Sequence, residues 1–99
     1  MFFTIVALFC ATDAHAQQSC DGLVLTVTGR IAKVTFYSKN NEFGIDTADA
    51  RCGEVSITGN GRPPRECVVG RTISATGQLE DALLADYYEM WRPRRLSCY

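Results

Sequence analysis

From Leu23 onward, apolar and polar positions alternate with a period of two through most of the chain. In "LVLTVTGRIAKVTFY", Leu23, Leu25 and Val27 fall on one face and Thr26 and Thr28 on the other, the pattern of a half-buried strand. After Gly29 the phase slips: Ile31 keeps the first phase, whereas Val34 and Phe36 take the opposite one. A slip beside a glycine predicts a bulge or sharp coil inside one long strand. "SKNNEFG" supplies turn residues, and "FGIDTA" then alternates Phe43, Ile45 and Thr47 as a second strand. "GEVSITG" gives a third, with Val55 and Ile57 inward, until "NGRPPRE" ends it, since two prolines cannot donate to a ladder. "RTISATGQL" keeps Ile73, Ala75, Gly77 and Leu79 in phase as a fourth. "EDALLADYYEM" reads two ways. Leu83, Leu84, Tyr87 and Met90 suit about two helical turns, or the segment is a hairpin running into a last strand, with Pro93 stopping any helix. "RRLSCY" is short and compatible with a strand.

The leader "MFFTIVALFCATDAHA" has another character. An apolar run from Phe2 to Ala11 precedes the triplet Ala14-His15-Ala16, which predicts a secretory signal peptide over residues 1–16 and a single domain over 17–99. The run is roughly half the ~20 residues a membrane-spanning helix needs. Phe9 precedes Cys10 where a lipoprotein signal wants a small residue, so no lipid anchor is expected. Cleavage after Ala16 removes Cys10, Asp13 and the sole histidine, His15. Four cysteines stay, Cys20, Cys52, Cys67 and Cys98, an even set suited to disulfides in a secreted or periplasmic setting. Their spacing matches neither a zinc site nor a redox pair, and it allows three connectivities. One of these is a local Cys52–Cys67 bridge with Cys20–Cys98 tying the ends. A domain this short holds a small core, so covalent staples are a physical expectation.

The pieces "VTGRIAKV", "GEVSITGNG" and "CVVGRTISATGQL" resemble the sequence phrase of OB-folds, in which a first strand kinks at a glycine and a later "vG-x-x-v-x-a-x-G" marks the fourth strand. Over roughly residues 20–98 the chain is similar to small exported bacterial OB-fold domains. The resemblance implies an all-β, five-stranded Greek-key barrel, with at most one short helix around Arg65 to Val68. It also implies a pairing: Cys20 with Cys52 where the first and third strands begin, and Cys67 with Cys98 where the third and fifth strands end.

Composition narrows the chemistry. Without histidine in residues 17–99 there is no ordinary Ser-His or Cys-His pair, and no enzymatic activity or cofactor is expected. Asp46 and Asp49, three apart, and the adjacent Glu80-Asp81 are expected to be solvated turn and edge residues rather than a catalytic pair. Nothing around Asp46 and Asp49 resembles a dedicated calcium loop. The most distinctive stretch is "YYEMWRPRR", with Tyr87, Tyr88, Trp91, Arg92, Arg94 and Arg95, residue types enriched at binding hot spots. In the implied fold this is the loop between the fourth and fifth strands, where such barrels bind ligands, and the start of the fifth strand. The competing reading makes Trp91 and one tyrosine a barrel plug and the arginines a soluble edge.

Three functional classes follow. The first is a non-catalytic binding module whose partner is a protein, a glycan or a small anionic ligand. The second is a glycan-binding subunit of a secreted oligomer, as in toxin binding subunits. The third is a single-stranded nucleic-acid binder. The 11 acidic residues against 10 basic, level once Asp13 is lost, argue against the third.

Overall fold

Alternation becomes strands throughout. The computed structural model describes residues 19–83 and 85–99, so the expected signal peptide lies outside the described residues. Seven strands follow in order: β1 (Val24–Arg30), β2 (Lys33–Tyr37), β3 (Glu42–Asp49), β4 (Gly53–Asn60), β5 (Thr72–Asp81), β6 (Tyr88–Trp91) and β7 (Arg95–Cys98). They form one mixed sheet in the order β1-β5-β6-β4-β3-β2, with β7 also on β5. β4 and β6 run parallel, with Val55 opposite Tyr88 and Thr58 opposite Trp91. The remaining pairs are antiparallel.

The count exceeds five because the first long strand is interrupted where the phase slip lies and the last is divided into β6 and β7 by residues 92–94. β1 ends at Arg30, and Ile31–Ala32 separate it from β2. Here the chain changes partners: the Ile31 N–H donates to Arg71 O at 2.8 Å, while the Ala32 N–H donates to Asp46 O at 2.8 Å. The two end strands of the sheet are thus consecutive in the chain, without a ladder between them. Gly29 makes the bend sterically feasible, since a Cβ there would collide with the Ala48 carbonyl oxygen and Thr47 Oγ1. Thr47 Oγ1 donates to Arg30 O at 2.7 Å, fastening β3 under the bend.

No helix occurs among the described residues. Residues around Arg65 form a turn. In the ambiguous segment after Asp81, residues 85–87 bend into β6, and the Ala82 N–H donates to Tyr87 O at 3.1 Å. Leu83, offered for the apolar face of a helix, is exposed, whereas Met90 is fully buried.

Inward positions match the alternation closely. Val27, Ile31, Phe43, Ile45, Val55, Ile57, Ile73, Ala75, Leu79 and Met90 form one buried cluster with Cys20 and Cys67. Fully burying an aliphatic side chain of this kind contributes ~1.5–3 kcal/mol. Leu23 departs from the expected face and is 48% exposed, because it precedes β1 rather than lying in it. Gly77 leaves the space Met90 fills; a Cβ there would sit 2.9 Å from Met90 Cγ.

The cysteines pair Cys20–Cys52, with Cα atoms 5.8 Å apart, and Cys67–Cys98, 5.1 Å apart. Neither bridge closes the stretch Cys52 to Cys67. Instead one staples the segment before β1 to the start of β4, and the other staples the β4–β5 loop to β7. Two bridges of this kind suit an oxidising, extracellular environment. No helix among the described residues is long and apolar enough to cross a membrane.

Between β3 and β4 the turn is held by Asp49, which is 5% exposed. One carboxylate oxygen accepts the N–H groups of Arg51 at 2.8 Å and Cys52 at 3.2 Å, while the other accepts the Thr28 N–H at 3.2 Å. Arg51 bonds both oxygens and passes its Nη2 on to Thr26 O. The turn is thereby latched to β1. Burial acts to raise the Asp49 carboxyl, but the Arg51 side chain and the three backbone N–H groups outweigh it, leaving its pKa below the usual value.

Candidate functional site

Strand β6 splits the Tyr-Trp-Arg stretch by face and by end. Tyr88 and Met90 turn inward; Tyr88 is half-buried, and its hydroxyl accepts the Cys20 N–H at 3.1 Å beside the first disulfide. Tyr88 thus makes a structural contact beside that bridge. Glu89 and Trp91 take the outer face, where the Trp91 indole N–H donates to Glu89 Oε1 at 3.3 Å. Trp91 is 49% exposed, so it does not plug the core. Tyr87, also exposed, lies at the opposite end of β6 from the arginines.

After Trp91 the chain steps off β4 and onto β5. The Arg92 N–H donates to Thr58 O at 2.7 Å, and the Arg94 N–H donates to Thr76 O at 2.7 Å. Arg92 takes φ of 53° to make this turn, a left-handed conformation that costs a non-glycine residue free energy. Arg92, Arg94 and Arg95 are all exposed.

The Cys67–Cys98 bridge adds partners that sequence reading missed. It draws the 61–71 loop against β7, and a cavity of ≈ 290 Å³ opens between them, lined by Phe43, Asn60, Pro64, Arg92, Pro93 and Leu96. Arg62 belongs to the same flank, its guanidinium 4.7 Å from the centroid of the Phe36 ring. Residues 61–71 and 92–99 together carry six arginines against one acidic residue, Glu66. The rest of the described chain carries four basic residues against nine acidic ones. A near-zero total thus conceals a separation of charge. The signal lay in the sequence, since Arg62 and Arg65 fall between Cys52 and Cys67, but only the bridge to Cys98 brings them to the Trp91–Arg95 turn.

A second concavity, of ≈ 220 Å³, lies across the outer face of β3 and β4 and is lined by Tyr37, Asp46, Glu54, Ser56 and Tyr87 among others. Asp46 and Ser56 face each other across the β3–β4 ladder. The Tyr37 ring lies over Gly44, where a Cβ would be 3.3 Å from Tyr37 Cε2. This groove is aromatic and acidic, the reverse of the arginine flank. Asp46 lines it, whereas Asp49 is buried and committed to the turn, so the two carboxylates do not converge on one ion. Glu80 lies opposite Glu89 on the β5–β6 ladder and Asp81 opposite Tyr88.

No protein-family model matches the chain, and no curated protein is significantly similar to it.

Proposed function

We propose that the chain is a non-catalytic, exported binding module of OB type, whose ligand seats on the outer face of β3, β4 and β6. Taken as one coiled strand, β1 and β2 reduce the order to five plus the short β7, and β3, β4, β5 and β6 become the second to fifth strands. The antiparallel β1–β5 and parallel β4–β6 pairs are the adjacencies such a barrel needs, and the β1–β2 coil would complete it. Trp91 carries the functional reading. A large aromatic ring stands half exposed beside Arg92, Arg94 and Arg95, none of which is in an ion pair among the described residues.

The groove favours a second reading, a glycan-binding subunit of a secreted oligomer. Tyr37 and Tyr87 offer flat faces, while Asp46, Glu54 and Ser56 offer acceptors for sugar hydroxyls. The same carboxylates would repel a phosphate backbone, which disfavours the nucleic-acid reading.

Trp91 is the chain's single tryptophan, so its emission reports on this face directly. A glycan and small-anion panel, followed by titration of each hit, tests the proposal. The expected result is a ligand that shifts Trp91 emission and loses at least about tenfold in affinity in Trp91→Ala, with the melting temperature little changed. Hits that bind Trp91→Ala and the Arg92→Ala/Arg94→Ala/Arg95→Ala variant as tightly as the parent would overturn it.

A further inference from the structure

The β4–β5 loop presents an apolar tip that the fold neither buries nor needs. Val68 is 48% and Val69 64% exposed, directly after the buried Cys67. A loose loop could fold such residues away, but this one is tied on every side. Cys67 is bridged to Cys98, the Gly70 N–H donates to Ile31 O at 2.9 Å, and the Arg71 N–H donates to Val68 O at 3.1 Å. Arg30 reaches across from β1, its Nη1 donating to Gly70 O at 3.1 Å. The Tyr99 side chain is exposed too, and its backbone pairs with Thr72 beside Arg71. The two valines therefore stand fixed in water, bracketed by Arg65 and Arg71 with Arg30 alongside, and Glu66 is the loop's one acid.

We propose that this tip docks on an anionic lipid bilayer, with Val68 and Val69 entering the boundary between headgroups and acyl chains and the arginines meeting lipid phosphates. Apolar side chains on a rigid tip lose water contact there without any ordering cost on the protein side, and rimming cations add attraction to a negative surface. The flank's basic residues are all arginines, while both lysines of the chain lie in β2 and the turn after it. Arginine's planar fork suits phosphate oxygens, and it sheds water more readily than an ammonium group does. A soluble polyanion would use the arginines but would leave the valines without a role. No residue of the tip lines the β3–β4 groove, so the tip does not depend on the groove reading, and either can fail alone.

The test is flotation of the oxidised protein with vesicles of phosphatidylcholine, with and without about one-third phosphatidylglycerol. Binding should require the anionic lipid and fall steeply with salt. Each of Arg65→Gln and Arg71→Gln should weaken it about fivefold. Val68→Asn/Val69→Asn should weaken vesicle binding at least about tenfold, with thermal melting unchanged because both positions are exposed. Binding of inorganic polyphosphate by that double variant should equal the parent's. Equal flotation with neutral and anionic vesicles, or full vesicle binding by the valine variant, would overturn the proposal; the second outcome would leave a plain polyanion site.

Discussion

Replacing Asp49 with asparagine removes one charge while keeping the side chain's shape. In the parent, the carboxylate accepts backbone N–H groups from Thr28, Arg51 and Cys52 and two bonds from the Arg51 guanidinium. The Arg51 side chain is 58% exposed, so its ion pair is screened and contributes no more than about 0.5–1 kcal/mol. The larger part is the loss of charge on three part-buried bonds from backbone donors. Asparagine has one acceptor oxygen; its amide nitrogen would face either the Thr28 N–H or those of the turn. One unsatisfied donor and weakened bonds at the others cost roughly 2–3 kcal/mol. For a domain of this size that lowers Tm by roughly 10–20 °C. The dependence on pH is the sharper check. Because the folded Asp49 pKa is depressed, its contribution is fully present above the unfolded value of ~3.9 and is lost as pH falls through the folded value. Melts followed by circular dichroism between about pH 2 and 7 should therefore show a gap between parent and Asp49→Asn that is widest at neutral pH and narrows below about pH 4. A gap that stays constant across that range, or none at neutral pH, would refute the view that the charged carboxylate holds the turn to β1.

Trp91→Ala should cost about 1 kcal/mol or less, against ~3–5 kcal/mol for a core tryptophan, and chemical denaturation separates the two. Gly29→Ala should destabilise by several times the usual ~0.5 kcal/mol effect of a surface change, since its Cβ meets main chain that cannot swing away; failure to lower Tm would mean that the β1–β2 bend relaxes freely. Removing the second bridge with Cys67→Ser/Cys98→Ser should cost ~3–4 kcal/mol, given the sequence separation of 31, and should expose residues 61–71 to proteolysis.

The strands were readable because each buries one face, and that writes a period of two into the sequence: Ile45, Ile57, Ile73 and Leu79 could be assigned without coordinates. The bend at Ile31–Ala32 was readable for the same reason, as a change of phase. Residues after Asp81 were not. Tyr88 and Met90 alternate properly, but β6 is only four residues long, too few to separate a strand from a helical turn. The candidate site was legible only in part. Trp91 and its arginines stood out by composition, but Arg62 and Arg65 join their flank through a disulfide, and Tyr37, Asp46, Glu54 and Ser56 form a groove through sheet register. Neither relation leaves a local pattern. Tyr88 faces inward, as the competing reading had it for one tyrosine, and the service of its hydroxyl to a backbone N–H 68 residues away has no signature in sequence.

The connectivity of the cysteines also sets a problem in time. Each native bridge joins residues 32 or 31 apart, whereas Cys52 and Cys67 are nearer neighbours in the chain. Before strands form, the cost of closing a loop favours the shorter one, and the three-halves-power dependence on length gives Cys52–Cys67 roughly a threefold head start over Cys20–Cys52. That early bridge would tether the end of β4 back to its beginning and keep both native partners from their cysteines. A reduced chain placed in oxidant should therefore pass first through a kinetically preferred wrong isomer, and its escape should depend on thiol–disulfide exchange. The chain would then acquire its native pairing fastest where a disulfide isomerase is present.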